Sequence, residues 1–378
     1  MNSDELGLRI VEAKNDLFPA QGDLPSSFSE SAPLFMAFHE NTDQSRRHLL
    51  DKRRRESFDQ VLEIGHDLHL EEDWEACRDI GAVMQRDAAR WHITNPSKSR
   101  FDWDWMDRLV EVAGGELIID YWHYGYPRWI SLPAFLSHEF VEYAGRFASM
   151  IASRYPEVSH HLPCNEARVG ADQIDSGVWR PYLRHRRDEV FAQMAKASIQ
   201  MAHQIKRVNP NAAIVTAEPV NSPGEETYDE FLALTDAMLG RAHPQWGGRQ
   251  SLVDVIGINH YAEPDNSSRM LRSILMDMRD RYRDKAIWIS EAGNVDELGY
   301  FTYVVNETNQ ANQSHARIEA VTQAPIISST PWTGERRVDR GGFFTWDIDD
   351  SSKTRRMIEG VNDVLPSLSE RGFLKTRS

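Results

Sequence analysis

Short, uniformly apolar runs alternate with longer amphipathic stretches along most of the chain, and this alternation limits the fold more than any other feature of the sequence. Residues 34–38, 82–85, 116–120, 161–167, 212–216, 252–258, 286–289 and 342–346 read as strands one to eight. Between them, apolar spacing of helical period predicts helices over 56–77, 101–113, 138–154, 184–207, 228–239 and 268–282, one beginning in 315–323, and a last one over 352–364. Strand runs without polar alternation belong to parallel strands buried on both faces, and such strands need helical crossovers. Eight units of this kind specify a (β/α)8 barrel in one domain over residues 31–378, preceded by a polar lead-in segment over 1–30. The competing doubly wound dinucleotide fold requires a glycine-rich turn after strand one, and Phe38-His-Glu-Asn41 offers none.

Length and charge narrow the partners. The chain has 378 residues with 40% hydrophobic content, enough for one large core, and a formal net charge of -15. An acidic surface argues against nucleic acid and anionic membranes, which are bound by basic patches. The basic run at 46–55 reads as a solvated helix face or loop. Two cysteines, Cys77 and Cys164, make no disulfide framework and are expected as buried thiols. The acidic N-terminus has no apolar run behind it, and no stretch approaches the ~18 apolar residues of a membrane span. A cytoplasmic enzyme acting on a small molecule is the expectation, with the oligomeric state open.

In such a barrel the chemistry is built just past the C-terminal strand ends. Those positions carry Glu40, Arg86, His123, Asn165 with Glu166, Glu218, Asn259 with Tyr261, Glu291 and Trp346. Any one of them could simply cap a strand, but together they concentrate polar groups where a site would lie. Glu166 and Glu291, on roughly opposite strands, suit cleavage of a glycosidic bond. One carboxyl must be protonated to serve the leaving oxygen, and the other ionised to attack the anomeric carbon. A cation and a phenol beside one would keep it charged, and that charge would raise the pKa of the other. Metal and serine chemistry fit less well. His138-Glu-Phe-Val-Glu142 is not a zinc-binding H-E-x-x-H, and no G-x-S-x-G elbow occurs. Neither a cofactor nor a metal is expected.

These stretches resemble family 1 glycoside hydrolases, retaining (β/α)8 glycosidases. Leu162-Pro-Cys-Asn-Glu166 is similar to the family's strand-four N-E-P motif, and Ile289-Ser-Glu-Ala-Gly293 to its T-E-N-G motif. Asp254-Val-Ile-Gly-Ile-Asn-His-Tyr261, Trp122-His-Tyr-Gly-Tyr-Pro-Arg-Trp129 and Gly342-Phe-Phe-Thr-Trp346 resemble three further motifs, in the family's order. The resemblance implies Glu166 as general acid/base, Glu291 as nucleophile, and Asn165 as the amide for the sugar 2-hydroxyl. It implies Tyr261 and Arg86 as partners of the nucleophile, with Arg90 as the rival if the register slips. His123 would bind a sugar hydroxyl, Trp346 would floor the subsite, and Asn259 would stand behind it. Three departures stand out: Ala167 and Ala292 replace the family's Pro and Asn, and Lys353 and Thr354 occupy the place of its Glu-Trp pair. Lys353, Arg355 and Arg356 read either as an anion grip or as the solvated start of the last helix. Hydrolysis and glycosyl transfer use the same two carboxylates, so a transglycosidase or biosynthetic enzyme is an alternative. A barrel that binds carbohydrate without turnover is another.

Overall fold

The structure, a computed structural model, describes residues 32–39, 43–47, 55–220, 225–261, 271–294, 297–331, 337–338 and 341–377. The lead-in over 1–30 lies outside these.

Eight parallel strands close into a barrel. Strand one is Leu34–Phe38, strand two Met84–Ala88, strand three Leu117–Asp120 and strand four His160–Leu162. Strand five comes in two pieces, Ala213–Ile214 and Glu218–Pro219, followed by strand six at Val255–His260, strand seven at Ala286–Ala292 and strand eight at Ile318–Gln323. Each strand pairs in parallel with its neighbours in sequence, and strand one pairs with both two and eight. The ring closes at strand five. Its first piece pairs with strand four and its second with strand six. In between, Val215 N–H donates to His161 O and Thr216 N–H to Val255 O.

Alternation along the strands sorts side chains into two cores. Met36, Ile118, Leu162, Val215, Ala217, Val255, Trp288 and Ala320 fill the barrel interior. The residues between them, such as Phe35, Ile119, Ile214, Ile256, Ile287 and Val321, pack outward under the helices. Both faces are therefore apolar, as parallel strands require. Gly257 makes strand six fit against strand five, because a Cβ there would collide with Thr216 O. The helices His138–Arg154 and Arg187–Val208 bury Phe140, Phe147, Ile151, Met194, Met201 and Ile205 against the strands. Cys77 and Cys164 are buried free thiols. Among the described residues no helix is long and apolar enough to cross a membrane.

Several expectations are corrected. The stretch 342–346 is not a barrel strand: Phe344–Thr345 pairs antiparallel with Arg356–Met357 in a separate ribbon. The eighth strand is Ile318–Gln323, where the spacing predicts the start of a helix. The helix there is instead Glu297–Gln313, and Arg317 in the left-handed region (φ 58°) leads into the strand. The region 56–77 begins as a strand, Arg55–Asp59, paired antiparallel with Asp43–Arg47, and turns helical only at Gln60–Glu63 and Leu70–Asp79. The predicted basic helix face or loop thus contributes Arg46 and Arg47 to that hairpin, while 48–54 fall outside the described residues. Strand two lies later than predicted, which brings Arg86 and Asp87 into the sheet. Strand four is shorter than predicted. It stops at Leu162, and Glu166 caps a helix, Ala167–Asp175, that the spacing did not announce. The last helix is Val361–Glu370 rather than 352–364.

Candidate active site

Barrel geometry converts the strand ends into one buried cluster. Arg86 and Asp120 follow the interior alternation of Met84 and Ile118, so their side chains rise above the inner core. Strand seven needs a further device. Its register against strand six shifts between Ile289 and Glu291, a bulge, and Glu291 comes opposite Asn259. Without the extra residue, strict alternation from Trp288 would aim Ser290 inward and Glu291 outward. With it, both serve the cluster: Ser290 Oγ donates to Asn259 Oδ1 (2.7 Å). Gly293 allows the strand end to pass strand eight, since a Cβ there would collide with Ala324 O.

Glu166 reaches the cluster by another route. It sits in the left-handed region (φ 38°), a conformation that costs a non-glycine residue about 1–2 kcal/mol. Its N–H donates to Ala217 O of strand five (2.9 Å), and Asn165 N–H donates to Trp122 O (3.1 Å). Two neighbouring strand ends thereby hold the Asn165-Glu166 pair in place.

The two carboxyls receive different partners. Glu291 accepts from Arg86 Nη1 (2.7 Å) on one oxygen and from the Tyr261 hydroxyl (2.5 Å) on the other. Arg86 is also bound through Nε to Asp120 (3.0 Å), donates to Asn165 Oδ1 (2.9 Å) and lies over the Phe38 ring. Glu166 accepts from Asn259 Nδ2 (2.9 Å) and from the Tyr124 hydroxyl (2.8 Å), both neutral donors. Burial and then the negative charge of Glu291 push its pKa up to about 7, against the pull of Asn259 and Tyr124. His123 Nδ1 lies 2.9 Å from Asp120 Oδ2, and that carboxylate outweighs burial and raises the imidazole pKa.

Seven of the eight predicted site residues meet here: Glu166, Glu291, Arg86, His123, Asn165, Asn259 and Tyr261. Tyr261 is 36% exposed and marks the mouth, whereas the other six are buried. Trp346 is bonded to the backbone instead: it is buried, its Nε1 donates to Ser328 O (2.8 Å), and Lys353 Nζ lies over its ring. Arg90, the rival of Arg86, binds Asp59 instead (2.7 Å). Lys353 donates to the carbonyls of Leu62 and Glu63, and Arg355 to Asp73 and Ile64 O, so these two cations brace the segment after the hairpin. Sequence reasoning missed Asp120, Tyr124 and Ser290. Asp120 and Tyr124 lie within four residues of His123, so the polar and aromatic end of strand three carried a signal for both.

A second buried cluster lies at the ends of strands one and two. His66 is bound by Asp73 on Nδ1 (2.7 Å) and Asp87 on Nε2 (3.0 Å). These carboxylates outweigh burial and lift its pKa to about 9. His39 stacks on it with ring centroids 4.4 Å apart, and its own pKa falls to about 4 through burial and then the charge of His66. His39, His66 and Asp87 are close enough together to suggest a metal centre. The geometry does not fit one. Imidazole lone pairs lie in the ring plane, so stacked rings point them side by side rather than at a shared ion, and both nitrogens of His66 already face carboxylates. The cluster is an imidazolium held between two aspartates.

No protein-family model matches this sequence, and no curated protein matches it. Solved structures do. The family 1 β-glucosidase from Thermotoga maritima aligns with a TM-score of 0.71 and 12% identity, over 93% of this chain and 99% of that one. The β-glucosidase from the same organism in complex with castanospermine gives 0.72 and 12%, over 92% and 99%. In complex with cyclophellitol it gives 0.72 and 11%, over 92% and 100%. At this identity the likeness establishes architecture alone: the chain shares its (β/α)8 barrel fold with these structures.

Proposed function

We propose that this protein is a retaining β-glycosidase acting on a small glycoside, with Glu291 as nucleophile and Glu166 as general acid/base. One observation carries the reading: the two buried carboxyls have unequal settings. Glu291 accepts from a guanidinium and a phenol, while Glu166 has only neutral donors and a pKa pushed up to about 7. An unequal pair of this kind divides nucleophile from acid at neutral pH. Glu291 attacks the anomeric carbon as Glu166 passes its proton to the leaving oxygen. The resulting glycosyl-enzyme ester is then opened by water, whose proton returns to Glu166. An acceptor hydroxyl in place of that water would give transfer by the same steps.

The neighbouring structures support the class, since the aligned β-glucosidase forms complexes with castanospermine and with cyclophellitol. The test is covalent trapping. Incubation with activated 2-deoxy-2-fluoro glycosides, followed by peptide mass spectrometry, is expected to label Glu291, and Glu291→Gln is expected to lose turnover by at least about 10⁴-fold. Labelling at another residue would refute the assignment. Binding of sugars with no turnover across a panel of aryl glycosides would make the protein a carbohydrate-binding barrel.

A further inference from the structure

Glu291 and Glu166 are joined by an unbroken chain of hydrogen bonds. Arg86 Nη1 donates to Glu291, and Arg86 Nη2 donates to Asn165 Oδ1 (2.9 Å). Asn165 Nδ2 donates to the Tyr124 hydroxyl (2.9 Å), which donates to Glu166 Oε2 (2.8 Å). Tyr124 is therefore the last link. Its hydroxyl accepts from the residue beside the acid and donates to the acid itself. The ring is fixed by its surroundings, edge-on to His123 (4.7 Å between centroids) and against Trp179 (4.9 Å), with the Gly170 backbone close enough that a Cβ would lie 3.1 Å from it. The side chain is 1% exposed, so water does not compete for the bond.

We infer that Tyr124 is a positioning residue for the acid/base, orienting the Glu166 carboxyl towards the leaving oxygen and holding its charged form between the two steps of the reaction. The inference rests on the roles proposed above for Glu166 and Glu291. The phenol proton points at Oε2, and Asn259 serves Oε1 (2.9 Å), so the carboxylate left after proton donation has a donor on each oxygen. A hydrogen bond to the charged form favours ionisation. The groups facing Glu166 are Glu291 across the barrel, His123 and Tyr124 past strand three, Asn259 on strand six and Glu218 on strand five. Of these, Tyr124 can be altered by one atom without changing the charge of any neighbour.

Tyr124→Phe is the test, read in two ways. Carboxyl carbon-13 NMR of the glutamate-labelled full chain, with the Glu166 signal assigned by its loss in Glu166→Gln, follows the titration without needing turnover. The Glu166 midpoint is expected to rise by about one pH unit in Tyr124→Phe. An unchanged midpoint overturns the inference. In kinetics, the alkaline limb of kcat/KM should move up by the same amount. Rates on glycosides with poor leaving groups should fall about 10-fold, while 2,4-dinitrophenyl glycosides, which need little protonation, stay within about 2-fold. An equal loss on both substrate types would reduce Tyr124 to a structural role. A wild-type protein without turnover would remove the proposed function and the kinetic arm with it, and the titration would still decide whether Tyr124 governs Glu166.

Discussion

Arg86 connects more of the site than any other side chain. Its guanidinium meets Glu291, Asp120 and Asn165 in one plane, a geometry that lysine cannot copy. Arg86→Lys keeps the charge but drops at least one charge-assisted bond, each worth roughly 1.5–3 kcal/mol. A fall in kcat of about 10- to 100-fold is expected from steady-state assays. The pH profile belongs to Glu166, the proposed acid. It must be protonated to act as acid and its pKa is raised to about 7, so kcat/KM should decline as pH climbs through 7. Glu166→Gln should abolish that limb. Glu218 makes a different prediction. It is fully buried beside Glu166 on strand five, and neither of its oxygens makes a well-formed hydrogen bond. Burial, and then the charge of Glu166, push its pKa well up. An acid whose pKa is raised by folding is penalised once pH exceeds its unfolded value near 4.5, and not below it. Glu218→Gln should therefore stabilise the protein by about 1–3 kcal/mol at pH 7 and by little at pH 4, as urea titrations at the two pH values would reveal.

At the level of elements, the site depends on backbone features as much as on side-chain identity. The bulge at Ile289–Glu291 and the close pass at Gly293 together turn Glu291 inward. Gly293→Ala would force strand seven away from Ala324. The expectation is a loss of activity exceeding the loss of stability, seen as a kcat drop of about 10-fold or more with a small change in Tm. The pairs Asn165-Glu166 and Asn259/Tyr261 could be read from sequence because each follows an apolar run that stops abruptly. The bulge could not, since Ile289-Ser-Glu-Ala looks like ordinary strand. Strand eight shows a related limit. Ile318 and Val321 have helical spacing, and only in the barrel do Ala320 and Thr322 become the buried partners of strand one. Tyr124 was hidden for another reason, because in a run of aromatics the one phenol that meets the Glu166 carboxyl past the neighbouring strand cannot be told from its packing neighbours.

Over the whole molecule, the charged cluster around His66 ties the first two strands to the C-terminal segment. Asp73 receives both His66 and Arg355, and Asp87 receives His66 and the Trp74 indole. The raised pKa of His66, about 9, sets the sign of the pH dependence. The stabilisation is complete below the unfolded value near 6.5 and is lost as pH rises through 9. Denaturant titrations should register a decline on the order of 1–3 kcal/mol between pH 6.5 and 9.5, flattened in His66→Gln. The closure of the ring has a different consequence. Strand five pairs with its neighbours through two-residue pieces; Glu166, just past strand four, is bonded to Ala217 O, and its partner Asn259 stands on strand six. Local opening is easiest where paired backbone is scarcest. On warming, the amides of Val215 and Thr216 should exchange with deuterium ahead of the other strands, and turnover should fade at temperatures where circular dichroism still reports a folded barrel.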